Sequence, residues 1–451
     1  MSLSAKDCSP FEFRPSPGDA AWLGRLSAAS RHGDLVVRLE EGREDEPVVA
    51  CDPDGTWRAG RYVGSLVFKG RRLDIRPRFG EETLRSWFSG AFNLALAETR
   101  GQLMEDDWFV PWLLASVWSR SFVSAARHGL PSLRADIRES GLAIKGRIDV
   151  PGTVRLRAAG LPGAASVRRE KSLDNPIAAA IVAAHAELSR WLGTRRGGEW
   201  MPGRVKELMP HLVGAVGSRP RVPTAAEIDR VRLTPITAGF RPLAELSIRI
   251  AGRRGLSAGA SDEGQCRGVL LDVAELWELY VLAALRRAWP GMDVAHGTRG
   301  AEHRPLLRNG RGVPLGMLKP DALVSRGGRI LAIVDAKYKR LWPSAWNPAP
   351  QREDMYQLAA YMARYGDPRN MTQGVLAYPF DPGSPSAPAA ESESPWYLDP
   401  LSEVRFIALP HGIDDAARKL MESVPLHAGL VKIAAQSKWP PMSRTPFVVH
   451  I

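Results

Sequence analysis

A chain of 451 residues exceeds what one hydrophobic core usually organises, so two or three domains are expected. Its 44% hydrophobic and 24% charged residues place it among soluble globular proteins. Lys and Arg number 61 against 49 Asp and Glu, and a surplus of +12 favours a polyanionic partner, nucleic acid first among them.

Cys8, Cys51 and Cys266 lie far apart and are odd in number, which argues against a disulfide framework, a zinc ribbon and a four-cysteine iron–sulfur cluster. The nine histidines show no zinc-ligand spacing, so His128, His185 and His211 read as surface or core residues. MSLSAKDCSPFEFRPS has no apolar stretch of the kind a signal peptide needs. The most apolar run, Trp108–Val117, is short and holds Pro111, so it reads as a buried helix and not a membrane span. The expected compartment is the cytoplasm.

In chain order, DLVVRLEE, PVVACD, WRAGRYVGSLVFKG and RRLDIRPRFG alternate in the manner of short strands, making residues 1–100 a β-rich first domain. Helical spacing begins at Glu82 and dominates a middle region, 101–240. Within it Leu142–Val150 is strand-like, with Val154–Leu156 as a continuation. Asp174 or Asn175 caps a long Ala-rich helix with Pro176 in its first turn, and a further helix is expected near Thr224–Leu233. A third region, 241–451, opens with the amphipathic helix LLDVAELWELYVLAALRRAW. Strands follow at Leu315–Ser325 and Arg329–Lys337, joined by the turn Arg326-Gly327-Gly328. A helix over Arg352–Tyr365 and strands at Gln373–Tyr378 and Val404–Leu409 complete it, with the Pro/Ser-rich 381–395 stretch read as an exposed loop. The class is α/β (α+β overall), with a mixed-sheet core in the third region.

That third region carries the pattern P-D…D-x-K. A hairpin can bring Asp321 and Asp335 side by side as a hard oxygen pocket suited to Mg²⁺. Lys337, two residues beyond Asp335, projects from the same sheet face and can reach a phosphate or an attacking water. Alone, Asp321 after Pro320 is an ordinary turn or cap residue, and Asp335 an ion-pair partner for Lys337 or Lys339. Together, two acids, a lysine and a hairpin turn point to a metal site, held by both carboxylates and the Ala336 carbonyl and competent for phosphodiester hydrolysis. Glu278, inside LWELYV, is the candidate third acid, and an exposed-face glutamate is the plain alternative. Gln357 and Tyr361 share a helix face, where they can hold a phosphate, brace the lysine or simply edge the core formed by Leu358 and Met362. No G-x-x-x-x-G-K-[ST] sequence occurs, so the chain is not expected to bind a nucleotide itself.

The D…D-x-K hairpin followed by Q-x-x-x-Y resembles the PD-(D/E)xK nuclease superfamily, in its RecB-like branch. Beyond it, SLVFKGRRLDIRPRFG, IKGRIDV with SLDNPIAAAI, and ELWELYVLAAL resemble the McrC family, nuclease subunits of McrBC modification-dependent restriction systems. The resemblance implies a restriction-endonuclease-like core with Asp321, Asp335 and Lys337 in catalytic positions. It gives Glu278 a place with the catalytic and metal residues, Gln357 and Tyr361 supporting ones, and the site one or two Mg²⁺ ions. It implies DNA and an AAA+ GTPase ring (McrB-like) as partners, the ring docking on the N-terminal half and being stimulated by it. Two other readings stay open: a RecB-like repair or recombination nuclease, and an adaptor that activates a ring NTPase without cutting.

Overall fold

A computed structural model describes residues 2–29, 36–37, 46–92, 109–192, 200–252, 267–297, 303–341, 350–381 and 389–426. Cys266, most of the strand expected in DLVVRLEE, the start of Trp108–Val117 and residues 382–388 of the Pro/Ser-rich stretch lie outside them. Among the described residues no helix is long and apolar enough to cross a membrane.

The mixed α/β class holds. The first sheet has five strands in the order Ser2–Lys6, Arg71–Arg76, Tyr62–Phe68, Arg267–Asp272 and Val36–Val37. Lys69 and Gly70, at φ +49° and +71°, turn the chain between the hairpin strands Tyr62–Phe68 and Arg71–Arg76. Helix Pro17–Ala29 buries Trp22, Leu23 and Leu26 beneath this sheet. The fourth strand comes from far along the chain: Arg267–Asp272 runs antiparallel to Tyr62–Phe68, pairing Leu270 with Gly64 and Asp272 with Tyr62. The helix expected to begin at Leu270 therefore begins at Val273. Asp272 ends the strand and caps the helix, its Oδ1 accepting from the N–H groups of Ala274 (3.0 Å) and Glu275 (3.2 Å).

The middle region packs helices Phe109–Ala125, Pro176–Leu192, Gly203–Val216 and Phe240–Ala251 around Trp118, Phe122, Ile181 and Phe240. Asn175 supplies the cap of the Ala-rich helix, its side chain accepting from Ala178 N–H at 3.1 Å. Helix Phe240–Ala251, which the sequence did not signal and whose residues fall almost wholly in the expected third region, packs in this core. From the bundle projects a three-stranded arm, Leu133–Gly141, Arg147–Ile148 and Ala164–Ser172. Here the expectation from sequence needs correction. Only Arg147–Ile148 of the expected 142–150 strand is a strand, and Val150–Ala158, which covers its expected continuation, is a helix. Asp149 decides this by accepting from Gly152 N–H at 3.2 Å, with Pro151 fitting the first turn.

The third region forms a six-stranded sheet in the order Asp293–His296, Ala322–Arg326, Arg329–Ala336, Thr372–Pro379, Ser402–Leu409 and Trp396–Asp399. Gly327 and Gly328, at φ +57° and +78°, make the two-residue hairpin turn that side chains with a Cβ disfavour. Helix Arg352–Tyr365 carries the chain across to the parallel strand Thr372–Pro379. Helices Val273–Ala288 and Ile413–Ser423 cover one face through Val334, Ala336 and Val375. Helix Arg352–Tyr365 covers the other through Ile333, Leu376 and Tyr378. The strand expected over Leu315–Ser325 is broken. Pro314–Leu318 pairs with Arg304–Arg308 in a separate two-stranded ribbon, and the sheet strand begins only at Ala322. The break falls at Lys319-Pro320-Asp321, where Pro320 has no N–H to offer a ladder.

Candidate functional site

Side chains alternate along Arg329–Ala336, so Val334 and Ala336 enter the core while Asp335 faces helix Arg352–Tyr365. Asp321, at the strand break, is drawn to the same place: its Oδ2 accepts from Ala336 N–H at 2.6 Å. The two acids thus meet at one end of the hairpin. Both line a cavity of about 380 Å³ together with Glu278, Lys337, Gln357 and Tyr361. Every side chain singled out from the sequence borders this one space.

Lys337 is the hinge of the polar network. Its Nζ lies 2.7 Å from Asp335 Oδ2 and donates to Gln357 Oε1 at 2.8 Å. Gln357 in turn donates to the Tyr361 hydroxyl at 2.7 Å, and Tyr361 donates to the Lys319 carbonyl at 3.1 Å. Of the two lysines within reach of Asp335 along the chain, Lys337 is its partner, whereas Lys339 pairs with Asp354 at 2.6 Å.

Removal from water raises the Asp321 carboxyl well above its ordinary range, and the charges of Glu278 and Asp335 raise it further. Three acids thus converge on a poorly solvated point. Burial pulls the Lys337 ammonium down, but Asp335, Asp321 and Asp354 together outweigh it and the net shift is upward. The acids around it thus favour the charged form of Lys337. Among the described residues no group of three or more His, Cys, Asp or Glu is placed to hold a metal ion between them.

Several contributors carry no signal in the sequence. Asp354, 4% exposed, sits in the first turn of its helix, where an acid ordinarily needs no further explanation. Cys8, Glu46 and Arg61 reach the cavity from the first domain, far upstream of the hairpin. Arg61 Nε also donates to Asp272 Oδ2 at 2.8 Å, so one carboxylate caps the helix bearing Glu278 and anchors the first sheet to it.

A second clamp sits behind the lysines. Tyr338 lies between Lys337 and Lys339, beyond the end of the strand ladder. Arg78 donates to its carbonyl, and the Arg78 guanidinium lies 4.6 Å from the centre of its ring. The fully buried Asp7 accepts from the Arg78 backbone N–H at 2.6 Å and lies 3.8 Å from its guanidinium. The first domain thus contributes to the site itself. It helps to build the cavity and fixes the backbone that carries its cations.

Asp321, Asp335, Glu278 and Lys337 thus share one cavity at a sheet end of an α+β chain. The family described as McrBC 5-methylcytosine restriction system component matches residues 57–379, and the chain belongs to that family. A solved assembly of Thermococcus gammatolerans McrB AAA+ hexamers with bound McrC contains a chain similar in fold, with TM-score 0.57 and 16% identity over 94% of this chain and 100% of that one. A cryo-EM structure of the Thermococcus gammatolerans McrBC complex matches with TM-score 0.35 and 16% identity, over 68% of this chain and 90% of that one. No curated protein matches the chain in sequence.

Proposed function

We propose that this restriction-system component is a Mg²⁺-dependent DNA endonuclease subunit that works with a separate AAA+ GTPase ring. The observation that carries the reading is the meeting of Asp321, Asp335 and Lys337 in one cavity, with Lys337 held by Asp335 and Gln357. The donor set suits the ion. Mg²⁺ takes one or two carboxylates, keeps several waters and completes its shell with phosphate oxygens, so a closed protein cage is not needed. Asp321 and Asp335 would hold it, with Glu278 and the Ala336 carbonyl as further candidate donors. When bound, the metal would polarise the phosphodiester and lower the pKa of a coordinated water.

The protein groups have distinct work. Lys337 donates to the phosphate oxygens as negative charge grows on them. Gln357 and Tyr361 fix its direction, and Lys339, Lys319 and Arg61 make the cavity mouth attractive to a DNA backbone. With no P-loop, the chain is expected to hydrolyse no GTP or ATP alone. The Thermococcus gammatolerans assembly joins McrB hexamers to McrC. We assign the corresponding contact here to the projecting arm, whose Leu142 is 85% exposed and whose Ile144, Val150 and Val154 are also bare.

The test is cleavage of duplex DNA by the chain with its ring partner, nucleotide and Mg²⁺, repeated with a chelator. Loss of cutting on chelation supports the reading, and undiminished cutting overturns it. The clamp gives a second measurement. Arg78→Ala is expected to lower the cutting rate on the order of 10²-fold by releasing the Tyr338 carbonyl. The DNA concentration for half-maximal rate should hardly change, and Arg78→Lys should recover part of the loss. A purely structural residue would lower thermal stability and rate together, without that split.

A further inference from the structure

The ribbon formed by Arg304–Arg308 and Pro314–Leu318 has no role in the site as described. It is a sheet of its own, with Arg304 opposite Leu318 and Arg308 opposite Pro314. Its base is fixed. Arg304 N–H donates to the Tyr365 hydroxyl at 2.9 Å, Tyr365 donates to the Leu318 carbonyl at 2.9 Å, and Arg364 Nε donates to the Pro305 carbonyl at 3.0 Å. Its tip is shaped by Asn309, whose side chain accepts from Arg311 N–H at 2.9 Å and Val313 N–H at 3.0 Å. Between base and tip it is bare, with Leu307, Val313, Leu315 and Met317 all exposed, Leu315 at 68%.

Two features say what covers it. Residues 304–319 carry Arg304, Arg308, Arg311 and Lys319 and no acid at all, a run that complements a polyanion. The ribbon also leads straight into the site: its second strand ends at Leu318, Lys319 lines the cavity, and Asp321 follows after Pro320. A free two-stranded ribbon is marginal in water, so a partner that accepts both cations and apolar side chains fits it best. The major groove of duplex DNA does so. It admits a two-stranded ribbon between its phosphate walls and offers base edges and thymine methyl groups to apolar side chains.

We propose that this ribbon lies in the major groove of the DNA whose phosphate enters the cavity, and so positions the duplex for cutting. DNA is named as the occupant partly because the cavity is read as a nuclease site.

The experiment measures binding of the full chain to a fluorescent 30-base-pair duplex without divalent metal, across a salt series. Arg308→Ala with Arg311→Ala, and separately Leu315→Asp, alter exposed side chains. Each variant is expected to bind about tenfold more weakly. If both arginines meet phosphates, the log–log salt slope falls by about 1.8. Wild-type affinity and slope in both variants would overturn the proposal. Unchanged DNA binding with lost stimulation of the ring would also overturn it, making the ribbon a protein-docking surface. Cutting by an Asp335→Ala chain would instead sink the nuclease reading, and the metal-free binding result would stand apart from it.

Discussion

Replacing Asp335 by alanine is expected to abolish DNA cleavage, by orders of magnitude in rate, while the fold and the complex survive. The fold should survive because Lys337 keeps its bond to Gln357 at 2.8 Å and has Asp354 3.9 Å away. Lys337→Ala should cut as poorly yet retain the metal, which calorimetric titration with Mg²⁺ distinguishes from loss of a ligand. Asp321→Asn adds a thermodynamic signature. The folded Asp321 holds its proton to a higher pH than an unfolded aspartate, so the metal-free native state binds more protons. Its stability is therefore favoured at low pH and declines as pH rises from the ordinary value of 3.8 through the raised one. The asparagine variant, which can still accept from Ala336 N–H, should lose that decline and melt higher than wild type near neutral pH in chelator. A melting temperature with unchanged pH dependence would remove the argument for three crowded acids.

Splitting the chain at residue 241 is expected to leave a C-terminal fragment without a cooperative fold. Arg267–Asp272 would lose its neighbours Tyr62–Phe68 and Val36–Val37, baring Leu270 and Leu271. Trp277 would lose Trp87, whose ring centre lies 4.9 Å away, and helix Phe240–Ala251 would lose the bundle it packs in. Burying one such side chain contributes about 1.5–3 kcal/mol, against a total margin of about 5–15 kcal/mol, so four or five of them suffice to unfold the piece. A sharp thermal transition by circular dichroism, with Mg²⁺-dependent cutting by the fragment, would show the halves to be separable. Ring docking is accordingly better tested on the arm in the intact chain, where Leu142→Asp should reduce stimulation of the ring's NTP hydrolysis and leave the melting temperature unchanged.

What could be read from the sequence was local. Asp321, Asp335, Lys337, Gln357 and Tyr361 fall within one short run, where strand period, a Gly-Gly turn and helical spacing dictate who faces whom. The helix Arg352–Tyr365 has the limits its periodicity predicts. The misses came where a distant partner or a single cap outranked the pattern. Leu270 and Leu271 suit a helix face, yet the open edge of Tyr62–Phe68 takes them as a strand. Val154 and Leu156 suit a strand, yet the Asp149 cap starts a helix. Arg61 and Arg78 carry no local mark, since they bond to Asp272 and Tyr338 far along the chain, and Asp7 acts by holding Arg78.

The strand Arg267–Asp272 has a consequence for how the protein is made. Val67 finds its partner Arg267 only 200 positions later, 267 less 67. At about 5–20 residues per second, synthesis takes roughly 10–40 s to cross that interval. Throughout it the nascent first sheet presents Tyr62–Phe68, apolar and able to form hydrogen bonds, as an open edge to any neighbouring chain. The segment begun first is thus among the last to be completed. Chains crowded on one messenger are exposed to mispairing at that edge until the third region emerges.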